Sequence, residues 1–300
     1  MLPELAETQA RGEIARIYAE LRELCAVPYV SSLHRHLATR PGWLEWCWSA
    51  VRPAFVSGQA QRAAWAAAAD VQVAPLPPLS HGALRLLGVD AAAEAHIRAV
   101  CESFVRVSPT NLMFVALVRA QLGRAREADR GRAPPAWTPP PALPALPAMV
   151  DMQHASAPLR EALLSLSNTV AEQPFVPGLY RMLAHWPAYL AHVATVLGPR
   201  FSDPHTTAAC HGIADRVDAA SAGVLAALPP APIAPPRPPA GEHGEVLELM
   251  TRYRKTSPEM VLFGTLLRDA LPSVTACPAR PAPRGPRSPR SASRRRTRGA

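Results

Sequence analysis

Two arginines, Arg35 and Arg181, stand at the same place in two copies of one sequence pattern, and they are the first candidates for chemistry in this 300-residue chain. A guanidinium grips a carboxylate through two parallel N–H bonds, so a symmetric arginine pair would suit an acidic ligand. The alternative use is structural, each arginine tying its helix to a backbone carbonyl or an acid of its own copy, and the repetition favours that use. Of the ten histidines, His34 and His36 are two apart on a predicted helix and point in different directions. His185 and His192 share a face but lack an evident third ligand, so no metal site is expected. The cysteines Cys25, Cys47, Cys101, Cys210 and Cys277 are odd in number and widely spaced, without a Cys-x-x-Cys pair. Neither a disulfide framework nor a zinc site is indicated, and Cys25 and Cys101 fall on apolar helical faces as small core residues. No Gly-rich phosphate loop, His-Glu-x-x-His or Gly-x-Ser-x-Gly is present, which removes the most readable enzyme classes.

The elements that position these residues are duplicated. An offset of 146 residues lays Pro28, Val30, Leu33, Arg35, Leu37, Ala38, Pro41, Leu44, Pro53 and Phe55 on Pro174, Val176, Leu179, Arg181, Leu183, Ala184, Pro187, Leu190, Pro199 and Phe201 without a gap. Late in each half the offset becomes 149: Ile97, Val100, Cys101 and Phe104 match Val246, Leu249, Met250 and Tyr253, an i, i+3, i+4, i+7 face in both copies. Ser108-Pro109 then matches Ser257-Pro258. Each serine is expected to cap a new helix with proline first, and Glu259 adds charge to the first turn of the second. Those helices, Asn111 to Leu122 and Met260 to Leu271, are apolar all round and should lie at the centre.

The fold class that follows is all-α, a tandem of duplicated helical repeats packed as a pseudo-dimer. Apolar residues make up 48% of the chain, with Ala and Leu dominant and no alternating apolar and polar segments. The spacing predicts helices over Arg11 to Cys25, Leu159 to Val170 behind a cap at Ser156, Gln59 to Val73 and His205 to Ala226, with two short helices in each copy of the duplicated stretch. The expected organisation is a first repeat over 1–126, a Pro-rich linker over 127–152, a second repeat over 153–272 and a tail over 273–300. A second proline run, Pro229 to Pro239, should replace the Leu76 to Ser80 loop of the first repeat.

The formal charge of +9 belongs to the tail, where eight arginines lie between Arg280 and Arg298 and no acid does. The rest of the chain is nearly neutral, which argues against a dedicated nucleic-acid surface. The Pro, Ser and Arg of the tail have too little apolar content to pack, so disorder and weak, salt-dependent polyanion binding are expected there. Glu4 and Glu7 stand where a signal peptide would need apolar residues, and no apolar run reaches the roughly 18 residues of a membrane span. A cytoplasmic location without membrane contact is expected, and the oligomeric state stays open.

The duplicated helical order, VPYVSSLHRHLATRPG (Val27 to Gly42), PGLYRMLAHWPAYL (Pro177 to Leu190) and SPTNLMF (Ser108 to Phe114) together resemble the group I 2-haloacid dehalogenase family, over roughly Glu13 to Leu271. The resemblance implies an apolar pocket between the repeats, no cofactor, and hydrolysis of small 2-haloacids by water that an aspartate activates, without a covalent ester. In the family pattern that aspartate precedes a Tyr-Arg pair ahead of Trp-Pro; here the pair is Tyr180-Arg181 ahead of Trp186-Pro187, and Leu179 takes the aspartate's place. The family's water-orienting asparagine corresponds to Ser108, and its threonine and glutamate to Ser57 and Gln61. The same motifs make Tyr29, Ser32, Ser108 and Tyr180 the candidate binding residues. Water attacking carbon must lose a proton, so a positioned base is required, and Leu179 supplies none. The expectation divides between a hydrolase using another acid, with Glu172 and Asp203 nearest in sequence, and a non-catalytic binder of a small, partly apolar carboxylic acid. A third possibility is an interaction scaffold with a basic tail.

Overall fold

A computed structural model describes residues 3–122, 137–170, 173–228 and 238–273. The expectations for the tail beyond 273, for Cys277 and Glu172, for the start of the first proline run and for most of the second lie outside the described residues. The first repeat contains α1 (Gly12–Cys25), α2 (Ser32–Leu37), α3 (Trp43–Val56), α4 (Gln59–Ala68), α5 (His81–Leu86) and α6 (Ala91–Leu122). The second contains α7 (Ala157–Ser165), an antiparallel ribbon of β1 (Asn168–Val170) and β2 (Gln173–Phe175), α8 (Gly178–Leu183), α9 (Pro187–Leu197), a 3-10 turn (Gly198–Ser202), α10 (Pro204–Ala226) and α11 (His243–Ala270). The protein is all-α, apart from this ribbon, and its helices recur in one order in the two halves.

Local chemistry sets the boundaries. The α1 helix ends at Ala26, which takes the left-handed conformation at φ 52°, and Val27 N–H turns back to the Arg22 carbonyl at 3.1 Å just before Pro28 forbids continuation. The α10 helix starts at Asp203, whose carboxylate accepts from the amides of His205 and Thr206, both at 3.2 Å. The helix expected from Leu159 to Val170 stops instead at Ser165. Ser167, Asn168, Thr169 and Val170 are poor helix formers, the last two β-branched, and they pair with the strand that leads to Phe175. Ser156 sits at the α7 N-cap but makes no side-chain cap bond.

The serine-proline pairs also differ from expectation. Neither begins a helix: α6 runs through Pro109 and α11 through Pro258. An internal proline removes one helical hydrogen bond and costs about 3 kcal/mol. The burial of both helices offsets that cost. Val100, Cys101, Met113, Phe114, Leu117 and Val118 on α6 and Val246, Met250, Leu262, Phe263 and Leu267 on α11 are all at or below 2% exposure, and the two helices form the largest helix pair in the fold.

From Trp137 to Val150 the chain runs without helix or strand, held by Leu143 N–H to Ala26 O at 3.4 Å in the first half and Val150 N–H to Arg181 O at 3.1 Å in the second. The arginine pair is structural. Arg35 forms an ion pair with Glu4, and Arg181 Nε donates to the Val150 carbonyl at 3.0 Å. Among the described residues no helix is long and apolar enough to cross a membrane.

Candidate binding site between the two repeats

A cavity of about 50 Å³ lies where the halves meet, and its walls are built by the duplication. At the 146-residue offset, Tyr29, Ser31 and Ser32 face Phe175, Pro177 and Gly178; at the 149-residue offset, Phe104, Val107, Ser108 and Asn111 face Tyr253, Thr256, Ser257 and Met260. Met149, from the connector, closes the ring. The first group enters at the starts of α2 and α8, the second on α6 and α11 around their internal prolines. Among the described residues the lining carries no charged side chain.

Burial and hydrogen bonding give these walls a polarity. Ser31 Oγ lies 2.8 Å from His34 Nδ1 and 3.2 Å from Asn111 Oδ1. The serine has one hydrogen to give. The distances are met when His34 Nδ1–H donates to Ser31, whose hydroxyl donates to Asn111 Oδ1, and this leaves the Asn111 amide NH2 free to donate to a ligand. Burial holds His34 neutral, with its pKa lowered to about 3. The Tyr29 hydroxyl is buried without a hydrogen-bond partner, and burial pushes its phenol above the ordinary range, so it stays a donor. Tyr253 is raised by burial as well.

Of the residues picked out from sequence, the fold brings Tyr29, Ser32 and Ser108 to this cavity. Leu179 is fully buried in the apolar core and does not line it. Tyr180 is equally buried, with an unpartnered hydroxyl, and also lies off the cavity. Ser57 and Gln61 are at the junction of α3 and α4. Ser57 Oγ donates to Ala54 O at 3.1 Å, and Gln61 Nε2 ties the ends of α1 and α3 together through Leu24 O at 3.0 Å and Phe55 O at 2.9 Å. Asp203, one of the two alternative acids, is spent on the α10 cap. Sequence reasoning leaves out Ser31, Asn111, Thr256, Ser257 and Met149. The duplicated register pointed to Ser257 through Ser108, but nothing in the connector's composition singles out Met149.

Comparison with known proteins follows the same lines. No family model matches the chain. It is 25% identical over 211 residues to an (R)-2-haloacid dehalogenase of Pseudomonas putida, covering 66% of this chain and 68% of that one. It is 28% identical over 209 residues to a configuration-inverting 2-haloacid dehalogenase of Alcaligenes xylosoxydans xylosoxydans, covering 66% and 69%. Among solved structures, a D-2-haloacid dehalogenase mutant in complex with D-2-CPA superposes with a TM-score of 0.69 at 21% identity, over 90% of this chain and 96% of that one. A D-2-haloacid dehalogenase with L-LA gives 0.69 at 20% identity over the same shares. The fold is therefore shared with these enzymes, and the sequence relatives that resemble the chain over two separate comparisons are likewise 2-haloacid dehalogenases.

Proposed function

We propose that this protein binds a small, partly apolar carboxylic acid in the inter-repeat cavity and does not hydrolyse it there. One observation carries the reading: among the described residues the cavity is lined by hydroxyls, one amide and apolar groups, and by no carboxylate. Displacement of a halide by water needs a group that takes the water's proton, and neutral hydroxyls and amides can orient water without doing so at neutral pH. The same groups suit an acid that is held and left intact. The Asn111 NH2, the Tyr29 hydroxyl and Ser108 offer donors to a carboxylate, while Phe104, Met149 and Met260 offer apolar contact to its substituent. The cavity exceeds the ~10–15 Å³ that one water needs, and it suits only a compact ligand.

Thermal shift against a panel of two- to four-carbon acids tests this, because a ligand at 100 times its Kd stabilises the fold by about 2.7 kcal/mol. A flat response across the panel, or a shift unchanged by Asn111→Leu, rejects it. Hydrolytic dehalogenation is the second reading, favoured by the activities named for the sequence relatives, one of which inverts configuration as a single in-line displacement would. Halide release from both enantiomers of 2-chloropropionate decides it, and a rate no faster than in buffer removes it.

A further inference from the structure

The α11 helix has a second occupied face. Tyr253, Thr256, Ser257 and Met260 look into the inter-repeat cavity, and the turn between them presents Arg254, Lys255, Pro258 and Glu259 in the opposite direction. There they line a cleft of about 600 Å³, wholly within the second repeat and closed by the 3-10 turn, α10 and the Asn168 end of the ribbon.

The charges in this cleft are arranged unequally. Among the described residues Glu259 is the only carboxylate in the lining, mostly buried beside Phe201, Phe263, Thr206 and Cys210, and its hydrogen-bond donor is Asn168 Nδ2. At the rim stand three cations. Arg254 is paired with Asp215 and Asp218 at 2.8 Å each, Arg200 donates to the Ala74 carbonyl at 3.2 Å, and Lys255 makes no ion pair among the described residues. A buried acid below an electropositive rim, within a cleft roomy enough for a small molecule, is the arrangement expected of a ligand site. We propose that this cleft is a second small-molecule site, taking a compact organic carboxylate whose head sits between Lys255 and Arg200 while Glu259 meets it from the wall as a protonated acid.

The site works by proton exchange. An anion entering beside an ionised Glu259 would be repelled, so binding proceeds with uptake of one proton onto Glu259, whose O–H then donates to the ligand carboxylate. Burial pushes the Glu259 carboxyl up to about 7, against the downward pull of the Asn168 hydrogen bond and the Lys255 charge, so the proton is available near neutrality. The other groups around it do not compete. The Cys210 thiol is pushed up to about 12 by burial and by Glu259, and the Tyr180 phenol on α8 is raised well above its usual range by burial. Asp203 is committed to the α10 cap, and His211 stands exposed at the rim.

Calorimetric titration of the full chain with acetate and with 2-hydroxypropionate, in two buffers of different ionisation enthalpy, reads both affinity and proton uptake. The expected result is uptake of close to one proton at pH 8, with affinity falling about tenfold per unit above pH 7. Glu259→Gln keeps the Asn168 contact and should abolish the uptake while binding persists; Lys255→Ala, on an exposed side chain, should weaken binding at least fivefold. Proton uptake should survive in Ser108→Ala, which alters the inter-repeat cavity instead and so separates the two sites. Affinity independent of pH in the unaltered protein, uptake unchanged in Glu259→Gln, or no saturable binding of either probe at tens of millimolar overturns the proposal.

Discussion

Ser31 Oγ and Asn111 Oδ1 lie 3.2 Å apart although 80 residues separate them, and their contact joins the start of α2 to the middle of α6 at the wall of the cavity. Both residues are buried, Ser31 at 8% and Asn111 at 6% exposure, so their partners cannot be replaced by bulk water. Ser31→Ala leaves both His34 Nδ1 and Asn111 Oδ1 without this partner. A loss of about 1–3 kcal/mol in a urea melt is expected, together with weaker acid-induced thermal shifts because the Asn111 amide is no longer oriented.

The same relay gives the fold a pH dependence. His34 has a folded pKa of about 3 against 6.5 when unfolded, because burial disfavours its charged form. Above 6.5 both states hold it neutral and its contribution is whole. Between 6.5 and 3 the unfolded chain binds a proton that the native chain does not, so stability falls with pH at up to about 1.4 kcal/mol per unit from this group. Urea melts from pH 7 to pH 4 should show that slope, and His34→Leu should flatten it. An unaltered slope in the variant would assign the acid sensitivity to other groups.

Leu179 stands where the family resemblance of the motifs implies a carboxylate, and it is a fully buried core residue. Leu179→Asp therefore places an unpaired acid among apolar neighbours rather than on the cavity wall. The expected outcome is destabilisation of about 4 kcal/mol or more and no halide release from 2-chloropropionate. Release in a folded Leu179→Asp variant would show that the side chain can reach the substrate.

Much of this was legible in sequence because it rests on periodicity. The duplicated spacing gave the all-α class, the bounds of α1 to within a residue, the presence of short helices in each copy, and the central position of the late helices. What it missed depends on energies that no local window contains. Pro109 and Pro258 read as helix starts because proline favours first turns, and only the burial of two long helices against each other outweighs the lost hydrogen bonds. Glu259 read as a first-turn charge for the same reason, and its burial beside Phe201 and Phe263 is a tertiary fact. Tyr29 and Ser32 line the inter-repeat cavity, whereas Ser57 and Gln61 lie at a helix junction where they bond to backbone carbonyls.

Gly58 shows how closely the connector is fitted to the first repeat. It sits between α3 and α4 at φ 70°, a left-handed conformation that costs a residue with a Cβ about 1–2 kcal/mol. A Cβ there would also run into the ring of Trp137, whose amide donates to Val56 O at 3.3 Å and whose face receives the Arg62 guanidinium at 5.9 Å. Gly58→Ala should therefore cost more than the conformational term alone, about 2–4 kcal/mol in total. Trp137→Ala removes the clash but leaves the strained φ. In a double-mutant cycle the pair should be less destabilised than the sum of the single changes, by at least 1 kcal/mol. Strict additivity would mean that the connector does not lie over Gly58.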